Sequence, residues 1–311
     1  MKKLSIILLA LSTLMAAVPV WAASPGVAGF KFLDIGTDAR AEAMGGAQVA
    51  ASRGVSAMYY NPAGMTASAP GEVLATYHNW VADIQSGFVG GVMRMGDAGR
   101  LGLSIQYLDY GDIPAATNDG TSLGNFGASD LAVALGMARD LDERTAIGVT
   151  GRFIAESIDD KNATGLAFDA GVTHALPDGH TRVGLAVRNA GFQMSTFADG
   201  AKDDLPITFV AGLSHELQGA PLLLTADAYK PRDDDFGGAF GLELNAFDPL
   251  LLRAGYNTQA GSLDSGSDSD KMAGFRFGAG FLLKTIVIDY AYGSMSKLGA
   301  SHRFTIRTSV L

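Results

Sequence analysis

The sequence predicts an all-β protein: a transmembrane up-and-down β-barrel of about fourteen antiparallel strands behind an N-terminal helical hatch. Three observations predict it. From residue 72 onward the chain alternates apolar and polar with period two, in segments of about ten residues, the length a tilted strand needs to cross a bilayer. On those segments the charged side chains share a face with Gly, Ala, Ser and Thr. That face suits a lumen, because a charge facing lipid near the midplane costs about 2 to 4 kcal/mol. The connections alternate between short turns and longer loops, as they do between the periplasmic and outer ends of such barrels. A soluble exported β-sandwich binder shares the alternation, but it would make the apolar face a core and leave the charges in solvent.

Taken in order, residues 1–22 read as a targeting segment: Lys2-Lys3, an apolar run from Leu4 to Val18, then Pro19 and the small-residue site Val20-Trp21-Ala22, with cleavage expected after Ala22. No later run is long and apolar enough for a spanning helix, so any crossing of a membrane is by strands. Residues 23–70 form the hatch. Asp38 can cap an Ala-rich, helix-favouring stretch to Ala51 that Gly45 and Gly46 interrupt. A second short helix, Ser56 to Tyr60, runs into Asn61-Pro62-Ala63-Gly64. Pro62 excludes the helical region for Asn61, and Gly64 tolerates positive φ, so a fixed turn is expected there.

Residues 71–311 form the barrel, with strands expected at 72–80, 84–95, 99–108, 128–139, 144–156, 165–176, 181–191, 205–216, 221–230, 237–246, 250–257, 271–281, 284–293 and 301–311. Their two faces separate clearly. Leu101, Leu103, Ile105 and Tyr107 oppose Gly102, Ser104 and Gln106, and Phe275, Phe277 and Phe281 oppose Gly274, Arg276, Gly278 and Gly280. The charges expected in the lumen are Arg152, Asp169, Arg188, Asp227, Glu243, Arg253, Arg276, Asp289, Arg303 and Arg307. Longer outer loops are expected at 109–127, 157–164, 192–204, 231–236 and 258–270. Tyr77, Trp80, Tyr107, Tyr110, Tyr229, Tyr256, Tyr290 and Tyr292 fall near strand ends, where interfacial girdles form.

Composition narrows the chemistry. The chain has 40 Gly, no Cys and a formal charge of −9. Thiol catalysis and Cys-based zinc sites are excluded, and nucleic-acid binding is disfavoured because no basic face exists to neutralise phosphates. No phosphate-cradling loop, zinc-binding helix or nucleophile elbow appears, so neither an enzyme nor a cofactor is expected. His78, His174, His180, His215 and His302 occur singly, and the acidic loops around 159–160, 203–204, 233–235 and 264–270 lack an EF-hand's spacing, so no metal site is assigned.

Phe32-Leu33, Gly36, Ala39-Arg40, Met44-Gly45-Gly46-Ala47, Ala57, Tyr60 and Asn61-Pro62-Ala63-Gly64 resemble the N-terminal signature of the PorV/PorQ family of bacterial outer-membrane proteins. That family is in turn similar to the FadL long-chain fatty-acid transporters. Ser52-Arg53-Gly54 and Tyr60 depart from the usual pattern. The resemblance implies a barrel in the lipid of a Gram-negative-type outer membrane that passes hydrophobic or amphipathic small molecules. The movable elements would be Gly45, Gly46 and the turn Asn61, Pro62, Ala63, Gly64. Its alternative implication is a PorV-like component of type IX secretion that binds exported cargo proteins.

Overall fold

The computed structural model describes residues 28–310 apart from 82, 83, 199, 201, 262–269 and 271. The expected targeting segment at 1–22 and most of the acidic run at 264–270 lie outside those residues. The strands are β1 (Glu72–Asn79), β2 (Gln85–Arg94), β3 (Arg100–Ala116), β4 (Ser122–Asp140), β5 (Thr145–Ile158), β6 (Lys161–Ala175) and β7 (Thr181–Ser195). They continue with β8 (Thr208–Glu216), β9 (Leu222–Pro231), β10 (Gly237–Phe247), β11 (Leu250–Asn257), β12 (Phe275–Leu283), β13 (Ile286–Ser294) and β14 (Ala300–Ser309). Each pairs antiparallel with its sequence neighbours, and β1 pairs β14, with Val73 opposite Thr308 and Tyr77 opposite Phe304, to close the barrel. Closure removes the open edges that would otherwise leave backbone groups unpaired in lipid.

The two faces divide as the alternation requires. Leu103 (56%), Phe168 (53%), Phe240 (53%) and Ile306 (52%) are exposed on the outer wall, whereas Arg152 (5%), Arg303 (2%) and Asp289 (1%) point into the lumen. The outer wall is thus an apolar band and the interior carries the charges, the arrangement of a membrane-spanning barrel. The end with the tight turns, such as 95–99, 141–144 and 217–221, is termed the inner end and the opposite one the outer end, after the short-turn, long-loop pattern of such barrels.

Several boundaries move. β3 and β4 run on through the expected loop at 109–127. Beyond Asp109 opposite Gln85 of β2 and Gly127, whose carbonyl accepts from the Asp159 amide after β5, the backbone of residues 110–126 pairs only within the β3–β4 hairpin and stands above the rim as a two-stranded ribbon. Out of lipid, nothing enforces alternation there, so the pattern weakens while pairing continues. The expected loop at 157–164 shrinks to a turn at Asp159-Asp160 between β5 and β6. In β7, Arg188 and Asn189 together face Asp169, a bulge with Asn189 at φ 57°. The girdle expectation holds for Tyr77 and Tyr107, which are exposed. Trp80 and Tyr110 instead pack on the buried cluster around Phe30, Leu33 and Leu108, because their register points them inward.

Candidate functional site

Residues 28–71 occupy the lumen. They begin at the outer mouth, where the Gly29 amide donates to the Asp204 carbonyl at 3.0 Å, and descend to Gly71, which leads into β1 at the inner end. The helical content is small: α1 (Ala39–Ala43) and α2 (Ala57–Tyr60), with 3-10 turns at Lys31–Asp34, Gly54–Ser56 and Pro62–Ala67. Asp38 caps α1 by accepting from the Arg40 amide, as its position suggests. The helix expected to reach Ala51 stops at Ala43, because Gly45 and Gly46 adopt φ of 67° and 84° and the barrel wall satisfies the backbone beyond them. Asp227 Oδ2 accepts from the Gln48 and Val49 amides at 2.6 and 2.8 Å, and Asn257 donates to the Gly45 carbonyl at 3.2 Å.

The wall is recessed to receive this backbone. A Cβ at Gly255 would lie 2.1 Å from the Gly45 nitrogen, one at Gly148 would lie 2.4 Å from the Pro62 carbonyl carbon, and one at Gly184 would lie 2.3 Å from the Val49 oxygen. Strand glycines on the inward face therefore act as seats for the plug. Apolar side chains complete the fit: Val55, Met58 and Met65 pack against Leu74, Phe88 and Val92 of β1 and β2.

Asn61 is pinned rather than free. Its Nδ2 lies 2.6 Å from the Val49 carbonyl and 3.2 and 3.3 Å from the carbonyls of Val172 and Leu185, while its Oδ1 accepts from the Ala63 amide. It thus ties the plug to β6 and β7. Gly64 does not take positive φ. It is needed for close approach instead, since a Cβ there would sit 2.3 Å from the Ser52 carbonyl.

Buried charges bind plug to wall, beside the more exposed pairs Lys31–Asp233 and Arg53–Glu216. Glu243 of β10 takes Arg40 Nε of the plug at 2.8 Å and Arg253 Nε of β11 at 2.6 Å, and Arg253 also reaches Asp289 of β13 at 2.7 Å. Glu42 of α1 bridges Arg276 of β12 and Arg303 of β14, both at 2.8 Å. Arg152 of β5 pairs with Asp169 of β6 at 2.5 Å and donates to the Met58 carbonyl of α2 at 3.0 Å. Burial pushes the Glu42 carboxyl up, but Arg303 and Arg276 outweigh it and hold it at about 2, below its ordinary 4.5. A folded-state value below the unfolded one means that this contact contributes fully above about pH 4.5 and is lost as the pH falls toward 2. Pepsin cleavage within residues 39–70 of the detergent-solubilised protein is accordingly expected to accelerate between pH 4.5 and 2. Glu42→Gln should flatten that extra pH dependence, and an identical profile for the variant would remove Glu42 as the titrating lock.

Two cavities flank the plug on one side of the barrel. The outer one, about 370 Å³, is lined by plug residues including Gly45, Gly46, Val49, Tyr59 and Tyr60 and by wall residues including Arg188, Val210, Asp227, Tyr229 and Ala239. The inner one, about 360 Å³, is lined by Arg53, Glu216, Leu223, Glu243 and Asn245 among others. Both lie along β9 and β10. Between them on those strands stand Thr225 and Gly241, with Met44 of the plug pressed directly on Gly241.

Of the residues singled out in sequence, Gly45 and Gly46 border the outer cavity, whereas Asn61 to Gly64 are buried in the wall contact. Eight of the ten expected lumen charges meet plug or wall partners as described; Arg188 and Arg307 stand outside these ion pairs. Sequence reading named Arg40 only as part of the family signature and missed Glu42; both are charged residues inside an Ala-rich stretch, a signal of inward pairing. It also missed Glu72, whose Oε1 accepts from the Val55 amide at 2.9 Å. His78, His174, His215 and His302 each bond a separate Ser, Thr, Arg or Tyr, and no group of three or more His or carboxylate side chains among the described residues is arranged to hold a metal ion.

Comparison with known proteins follows the same architecture. The family model described as type IX secretion system protein PorV matches residues 26–217, more than half of the 311-residue chain. No curated protein sequence matches the chain. Among solved structures, the Ralstonia pickettii toluene transporter TbuX superposes with a TM-score of 0.61 at 14% identity, covering 88% of this chain and 98% of that one. The Pseudomonas putida toluene transporter TodX gives 0.60 at 13% identity, covering 88% and 96%. A Pseudomonas aeruginosa FadL homologue gives 0.54 at 12%, covering 87% and 97%. At these identities the likeness is one of fold: a closed fourteen-stranded barrel around an N-terminal plug.

Proposed function

The chain belongs to the PorV family of outer-membrane β-barrel proteins, and from that premise we propose that it passes small amphipathic molecules inward across the outer membrane. The observation that carries this reading is the pair of cavities on β9 and β10, with Met44 of the plug set against Gly241 on the stretch of wall between them. A ligand leaving the external water occupies the outer cavity first. Displacement of residues 44–49, which requires breaking the Asp227 and Asn257 hydrogen bonds to Gln48, Val49 and Gly45, then joins the cavities. The clamped Asn61 to Gly64 turn serves as the fixed hinge about which that segment moves. Both swinging and fixed parts belong to the 23–70 hatch, which follows a leader at 1–22 that export removes.

The fold relatives named as toluene transporters support a channel over an enzyme, and the apolar outer band supports residence in lipid. The test is uptake of labelled 4-phenylbutyrate by Gram-negative cells that express the full chain, against cells carrying the empty vector. Faster uptake supports passage; equal rates with the barrel demonstrably folded in the outer membrane refute it. A second reading is favoured by the ribbon at 110–126, which stands above the rim with both edges unpaired, a shape suited to engaging exported cargo proteins. In a host with type IX secretion, loss of surface cargo on trimming residues 112–126 would favour that role over uptake.

A further inference from the structure

Five lumen-facing arginines, Arg40, Arg152, Arg253, Arg276 and Arg303, each meet a carboxylate at 2.5–2.8 Å. Arg188 does not. Among the described residues its guanidinium has no hydrogen bond or ion pair, and its Nε is buried without an acceptor. The guanidinium lies over the Tyr59 ring, 5.3 Å from its centroid. Of the carboxylates nearest in charge, Asp34 is engaged with Lys31 at 2.8 Å and Asp169 with Arg152 at 2.5 Å, while Asp227, on the same cavity, is held through Oδ2 by the Gln48 and Val49 amides and makes no ion pair with Arg188. Buried charges are ordinarily paired, and an unpaired one inside a cavity is a site awaiting its counter-charge.

The same cavity holds two further donors without acceptors. Neither the Tyr59 nor the Tyr60 hydroxyl is hydrogen-bonded among the described residues, and both side chains line the space beside Arg188. Burial pushes the Tyr59 hydroxyl up to about 12, so it stays protonated and donates at neutral pH. Val49, Val210 and Ala239 supply apolar wall on the same cavity, whose volume of about 370 Å³ falls in the usual range for small-molecule sites.

We propose that the outer cavity is a binding site for a compact amphipathic carboxylate, its anionic head held by the Arg188 guanidinium and the Tyr59 and Tyr60 hydroxyls and its apolar body laid against Val49, Val210 and Ala239. A charge-assisted contact of this kind is short and strong, and the planar guanidinium matches a carboxylate fork to fork. This rests on the passage reading and names the class of molecule that enters first.

The test is calorimetric titration of the detergent-solubilised full chain with benzoate and with benzamide, a neutral molecule of the same shape. Benzoate is expected to bind at least about tenfold more tightly. Arg188→Gln should bring benzoate down to the benzamide level and leave benzamide unchanged, and Tyr59→Phe should weaken benzoate several-fold. Arg188→Lys keeps the charge in case the glutamine variant fails to show heat-modifiable migration, and it should retain a preference for benzoate. Equal binding of the two probes by the unaltered chain, or a preference that survives Arg188→Gln in folded protein, overturns the proposal. Binding and uptake are separate readouts: preference without uptake keeps the site and refutes passage, while uptake without preference keeps passage and refutes the site.

Discussion

Deletion of residues 30–66 is expected to turn the closed barrel into an open pore, seen as a stepwise conductance in planar bilayers that the intact chain lacks. The plug fills the lumen from mouth to base, packing Phe30, Phe32 and Leu33 against Leu108 and Ile154 near the outer end and Met58 and Met65 against Leu74 and Val92 near the inner one. Its removal empties that space without touching a ladder bond between strands, since all fourteen pairings lie outside the deleted segment. The inward arginines and carboxylates then face water, which hydrates them at little cost compared with lipid. The shortened chain should still migrate as a heat-modifiable barrel. Conductance indistinguishable from the intact protein, with the barrel folded, would show that the plug does not seal the lumen.

Glu243→Gln should release the plug without removing it. Glu243 carries the charge shared by Arg40 of the plug and Arg253 of the wall, and all three side chains are almost fully buried, at 9%, 10% and 1% exposure. Breaking a buried pair by neutralising one partner typically costs about 3–5 kcal/mol, because the stranded cation keeps its desolvation penalty. Arg253 retains Asp289, so most of the loss falls on Arg40 and hence on docking of α1. Protease nicking of residues 39–52 should rise by about two orders of magnitude or more, on the scale of tenfold per 1.4 kcal/mol. Rates unchanged from the parent would show that packing and the glycine seats hold the plug by themselves.

The barrel was legible because lipid and lumen impose opposite demands on alternate residues. Phe275, Phe277 and Phe281 could face only outward, and Arg152, Asp169 and Asp289 only inward. Where lipid stops, so does legibility: β3 and β4 extend into the ribbon at 110–126 although nothing in Gly111-Asp112-Ile113-Pro114 alternates cleanly. Partner choice was hidden for a different reason. Glu243 and Arg253 stand directly opposite each other, but only the register of β10 on β11 reveals it. Arg40 and Glu42 lie two residues apart in the plug yet reach opposite partners, Glu243 on one hand and Arg276 with Arg303 on the other. Nor does the sequence reveal which strand glycines matter for docking: Gly148, Gly184 and Gly255 each receive plug backbone, whereas Gly87, Gly91 and Gly151 do not.

One of those contacts sets a limit on how this protein can change over time. At the meeting of Gly45 and Gly255, a methyl group added to the wall would strike main-chain atoms of the plug rather than a side chain. Elsewhere in a protein core, an enlarged residue can be accommodated by a smaller neighbour. Here the neighbour is already glycine, and the obstructing atoms belong to every amino acid alike. The two positions therefore have no compensating partner in the amino-acid alphabet. A lineage that loses either glycine can restore the fit only by moving the plug backbone, which is the part of the molecule set against the wall between the two cavities.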